Sequence, residues 1–86
     1  MARYLDFEKE EKGFEQIFLN AETIKANIGK RICYVNKRDI DQYRGYYNVR
    51  YGTIHSKRYS TLFLDDGNRD VDIRDIVECG IERVGN

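Results

Sequence analysis

The sequence predicts a mainly β domain with one or two short helices at its N-terminus. Three observations predict it. From Tyr46 to Ile76 the chain holds three β-rich runs separated by two turn signals, the pattern of an antiparallel meander. There is no proline, so turns must be built from Gly, Asn and Asp, which are plentiful. Hydrophobic residues make up 41% and charged residues 35%, too apolar a balance for a fully disordered chain. At 86 residues the chain makes one domain, 1–86, with a small core.

The N-terminal third reads as helical. Phe7, Phe14, Ile17, Phe18 and Ala21 recur at intervals of seven, three, one and three. Glu8 to Lys12 is solid charge, as on a solvated face, and Asp6 is a possible N-cap. Gly13 interrupts this run at a cost of ~1 kcal/mol against alanine, so the helix breaks or starts there. A second helix is better signposted. Asn20 can cap it, Ile24 and Ile28 share a face, and Gly29 stands where a left-handed terminator is wanted. Residues 1–28 therefore form a helical segment in this reading.

Strands follow. Arg31 to Lys37 is the first, and Lys37 to Gly45 is a charged loop with Ile40 its only aliphatic residue. Tyr46 to His55 is the second and longest, with Gly52 marking a bulge or bend. Ser60 to Asp65 is the third, with Leu62 and Leu64 on one face and Phe63 on the other. Asp65-Asp66-Gly67-Asn68 is the strongest hairpin signal in the chain. Arg69 to Ile73 is the fourth, with Val71 and Ile73 inward. Arg74 to Ile76 suits one 3₁₀ turn, and Val77 to Val84 is the fifth strand.

This layout resembles the SH3-like small β-barrels, the class that includes Tudor and KOW domains. The residues that carry the resemblance are Gly29-Lys30-Arg31-Ile32, Tyr51-Gly52-Thr53-Ile54, Leu62 to Gly67 and Val71 to Ile76. It spans about residues 29–84 and implies a five-stranded barrel preceded by the helices. From Gly52 onward the chain is also similar to the C-terminal half of YolD-like proteins, whose N-terminal motif is missing here.

Net charge is zero but unevenly placed. Residues 1–29 carry −2, residues 30–60 carry +6 and residues 61–86 carry −4. Zero net charge argues against strong indiscriminate nucleic-acid binding, while the basic middle still permits a local patch. Six of the seven tyrosines fall between residues 34 and 59, threaded with Arg and Lys. Tyrosine rings give stacking faces for bases and cations hold phosphates. The same residue types anchor protein interfaces, and an aromatic cluster can hold a cation. Tyr43, Arg44, Tyr47, Arg50, Lys57, Arg58 and Tyr59 are the expected contact residues. Their expected partner is nucleic acid or, alternatively, a protein. A purely structural role as sheet cover competes with both, and Tyr34 is expected in the core. The acidic end can also meet the basic middle, within one molecule or across a homodimer.

No catalytic set is nominated, so the expectation is a non-enzymatic module without cofactor or metal. His55 is the one histidine, and the acids nearest in sequence, Asp39, Asp41 and Asp65, lie at least ten positions from it. Asp65, Asp66, Asp70, Asp72 and Asp75 are divided between a turn and a strand, so they read as solvated rather than ion-binding. Cys33 and Cys79 match no familiar zinc spacing and read as buried hydrophobes in a reducing compartment. Facing thiols on neighbouring first and last strands are the alternative. No apolar run has the ~18 residues of a membrane helix, and the N-terminus does not look like a secretory signal, so a cytoplasmic location is expected.

Overall fold

The computed structural model describes residues 4–83. It is mostly β: six antiparallel strands and one short helix. The strands are β1 (Phe14–Gln16), β2 (Arg31–Asn36), β3 (Arg50–Arg58), β4 (Thr61–Leu64), β5 (Arg69–Asp72) and β6 (Ile76–Glu82). Helix α1 is Ala21–Ala26, and two 3₁₀ turns cover Lys37–Asp39 and Ile73–Asp75. The sheet order is β1-β6-β2-β3-β4-β5, so β1 and β5 are the outer strands.

Strand β2 sits at the centre because its apolar run leaves no polar face. Ile32, Cys33, Tyr34 and Val35 are all buried. Side chains alternate along a strand, so four in a row need cover on both sides of the sheet. Ile32 and Tyr34 join Ile24 of α1 with Ile54, Leu62, Leu64, Val71, Cys79 and Ile81 in the larger core. Cys33 and Val35 face the other way, against Leu5 and Phe14, with Tyr4, Phe7, Ile40 and Val49 packed around them.

The cover on that second face corrects the N-terminal helix. Residues 7–13 form turns, and Phe14–Gln16 is a strand paired with Gly80–Glu82 of β6. Asp6 does cap, but it caps a turn: its Oδ1 accepts from the Glu8 and Lys9 N–H groups. The phenylalanines that match a helical period are placed instead by the face they bury. Phe7 lies on Gly80, where a Cβ would collide with its ring. Residues 1–3 of the expected helical segment lie outside the described residues, and of the rest only 21–26 are α-helical. Helix α1 has the Asn20 cap, with Thr23 completing a reciprocal capping box. It ends at Ala26, so Ile28 leaves the face of Ile24 and stays exposed.

The described strands number six rather than five, because Phe14–Gln16, expected within a helix, forms β1. The second strand also starts later than the sequence suggests. Asp41 and Tyr46 bridge back to back, their N–H groups donating to each other's carbonyls at 2.8 and 3.2 Å, and Gly45 takes φ 72° in the turn between. This ties Tyr46 into the loop, and β3 begins at Arg50. The register slips at His55, between Ile54 and Ser56, rather than at Gly52. Gly52 is a close approach instead, packed under Leu64 and the Arg69 guanidinium.

The order of the meander is as expected, but β3 runs on to Arg58 through the expected loop, and the 3₁₀ turn takes in Ile73, the expected end of the fourth strand. Leu62, Leu64 and Val71 are core. Asp65, Asp66 and Gly67 take φ 55°, 59° and 85°, a left-handed turn in which the Gly67 N–H donates to the Leu64 carbonyl at 3.0 Å. Val84, the expected end of the last strand, lies outside the described residues. The first and last predicted strands are neighbours, with Tyr34 opposite Cys79 and Cys33 opposite Gly80. The thiols therefore face opposite sides of the sheet; both are free and buried, and burial pushes each up to about 12.

Candidate functional site

The seven expected contact residues fall into two groups. Tyr43, Arg44 and Tyr47 lie in the β2–β3 loop and Arg50 opens β3. Lys57 and Arg58 close β3, and Tyr59 begins the turn into β4. Eight positions of extended strand, roughly 25 Å of chain, separate Arg50 from Arg58.

Among the described residues, half of the eight basic side chains of the middle segment have a carboxylate within 4.0 Å. Arg50 grips Asp39 at two points, 2.5 and 2.9 Å. That hydrogen bonding holds the Asp39 carboxyl below its ordinary range and raises Arg50. Lys37 and Arg38 share Asp75 at 3.1 and 4.0 Å, which ties the two 3₁₀ turns together. Arg44 stands 3.9 Å from Asp41. Among the described residues Lys57 and Arg58 make no ion pair. Beside them Tyr59 is 85% exposed, with φ 54°.

The tyrosines divide as well. Tyr34 is core, as expected. Tyr51 donates its hydroxyl to the buried Glu11 carboxylate at 2.5 Å; that bond, with burial, pushes Tyr51 up to about 12. The Arg31 guanidinium stands 5.9 Å from the Tyr51 ring and 6.0 Å from that of Phe14. Arg31 and Tyr51 are therefore engaged in seating the N-terminal segment.

Three tyrosines remain available in the β2–β3 loop. Tyr43 is fully exposed, and Tyr46 is 66% exposed. Tyr47 packs edge-on against Tyr4, with ring centroids 5.1 Å apart and planes at 70°. Sequence reasoning missed Tyr4, since nothing local says that residue 4 meets residue 47. Glu78 of β6 brings it there by accepting from the Tyr4 and Leu5 N–H groups at 2.8 and 3.0 Å. Two clefts flank the ring pair. One, about 380 Å³, is lined by Ile40, Asp41 and Tyr46 with both rings. The other, about 460 Å³, is lined by Leu5, Asp6, Glu8 and Glu10 with the same rings.

The N-terminal segment thus changes the electrostatics of the tyrosine surface. In the sequence these rings belong to the basic middle. In space their new neighbours are carboxylates. Among the described residues no group of three or more His, Cys, Asp or Glu side chains could hold a metal ion, and no helix is long and apolar enough to cross a membrane. No protein-family model, curated protein or solved structure matches the chain.

Proposed function

We propose that the protein is a small non-enzymatic binding module of SH3-like build, and that it takes hold of a protein partner through the Tyr4–Tyr46–Tyr47 surface. The meander β2–β5, the 3₁₀ turn at Ile73–Asp75 and the return of β6 beside β2 support the build; β1 is an addition to it. One observation carries the choice of partner. The exposed rings stand among Asp6, Glu8, Glu10 and Asp41, while Lys37 and Arg50 are held by carboxylates and Arg38 and Arg44 reach theirs only at 4.0 and 3.9 Å. A phosphate backbone laid on this surface meets like charge, and a neutral or cationic polypeptide does not. Tyrosine also anchors interfaces at low entropic cost.

The immobilised protein, incubated with native lysate, should retain a discrete protein that survives nuclease and is lost from a Tyr46→Ala/Tyr47→Ala variant. Retention that nuclease abolishes, or that the double variant keeps, overturns the reading. Sedimentation velocity on the pure protein separates this from a homodimer closed over its own tyrosines.

The hairpin end favours a second reading. Lys57 and Arg58 flank exposed Tyr59, which suits a phosphate contact beside a stacked base. Titration of a labelled single strand and a duplex at ~10 µM protein tests it, because even weak nonspecific affinity registers there at low salt. If Lys57→Ala/Arg58→Ala does not reduce binding, the hairpin is not the contact.

A further inference from the structure

The geometry points to a cationic, extended polypeptide segment as the partner that crosses the Tyr4–Tyr47 ring pair. This rests on the reading that the tyrosine surface docks protein, and adds what kind of protein it docks. The two clefts share both rings, so a ligand leaving one enters the other across aromatic faces. In an extended chain, side chains on the same side recur about every 7 Å, a spacing that straddles rings 5.1 Å apart. Both clefts are partly open rather than enclosed, which suits a strand-like segment better than an enclosed small molecule.

The charge on either side is complementary to Lys and Arg. Glu8 and Glu10 are exposed and make no ion pair among the described residues. Asp6 spends one oxygen, Oδ1, on the backbone of its own turn. Across the rings stands Asp41. Among the described residues two cations, Lys9 and Arg44, lie nearby. Lys9 is exposed, and Arg44 approaches Asp41 only at 3.9 Å with its side chain 75% exposed, a weak contact that an incoming guanidinium can replace. Tyrosine faces attract ammonium and guanidinium groups as well, so rings and carboxylates favour the same ligand charge.

The test uses two synthetic peptides, one alternating Gly with Lys and Arg, the other with Glu in place of every cation. Each is titrated into isotope-labelled protein. The cationic peptide should shift the amides of residues 4–10 and 40–47, weakening as salt rises from ~50 to ~300 mM; the acidic peptide should not. Glu8→Lys/Glu10→Lys changes exposed positions only and should weaken the cationic peptide about tenfold with the fold intact by circular dichroism. Equal binding of the two peptides, or unchanged affinity of the charge-reversed variant, overturns the inference. If the cationic peptide fails while a nuclease-resistant partner is still lost from Tyr46→Ala/Tyr47→Ala, the docking surface stands and only its preference for cations falls.

Discussion

Tyr51 and Glu11 form the most consequential polar contact on the second face of the sheet. Glu11 is 7% exposed, so its carboxylate depends on the Tyr51 hydroxyl for its hydrogen bond. Tyr51→Phe should cost about 1–3 kcal/mol in chemical denaturation, because the buried acceptor loses its donor. The pH dependence follows from the same bond. With Tyr51 raised from 10.0 to about 12, the folded state favours the protonated phenol. That contribution is complete below pH 10 and is lost as pH rises toward 12. Wild type should therefore lose stability faster than Tyr51→Phe between those values; parallel curves would mean that the hydroxyl is not held. Gly80 is a second sharp position. Gly80→Ala drives a methyl into the Phe7 ring and should destabilise by about 1–3 kcal/mol. Phe7→Ala in the same chain should relieve much of this, and a double-mutant cycle measures the coupling.

At the scale of elements, the meander was legible and the N-terminal segment was not. Leu62-Phe63-Leu64, the Asp-Asp-Gly-Asn turn and Val71 carry local signals that tertiary packing only reinforces. Phe7, Phe14 and Ile17 carry a period but not the surface that sets it. A three-residue strand beside β6 and a turn over Gly80 satisfy their burial as well as a helix does. The one available clue was in β2, where four consecutive apolar residues signal cover on both faces. The candidate site suffered the same loss: Tyr43 and Tyr47 were expected in it, but Tyr46, Tyr4 and its acidic neighbours were not. Glu78 holds this segment by the Tyr4 and Leu5 N–H groups, ahead of its first turn. Glu78→Ala should therefore speed amide exchange across residues 4–14 and leave α1 protected, read by hydrogen exchange with mass spectrometry. Equal acceleration in both regions would mean global destabilisation and would refute a local clasp.

Across the whole molecule, charge that is segregated along the sequence becomes interleaved in space. The basic middle meets the acidic end through Lys37 and Arg38 on Asp75, and neutralises itself through Arg50 on Asp39. Three carboxyls are held below their ordinary value, each by hydrogen bonds. Asp72 is lowered to about 2, chiefly by the Arg74 side chain. Asp39 is lowered by Arg50, and Asp65 by the Thr53 N–H and then Arg69. A depressed carboxyl stabilises the fold above its unfolded value, near 4, and that contribution disappears as pH falls through the folded value. The urea midpoint should thus drop between about pH 4 and pH 2, a window set by Asp72 with Asp39 and Asp65 acting in the same direction. Exposed pairs contribute little singly, so the drop should be shallow and shared. Arg50→Gln releases Asp39 toward its ordinary range and should flatten part of it, at the cost of lower stability at pH 7. A variant as acid-sensitive as wild type would mean that Asp39 draws its depression from elsewhere. In that case the pairing of the basic middle, on which the case against a phosphate ligand rests, would be weaker than the contact distances imply.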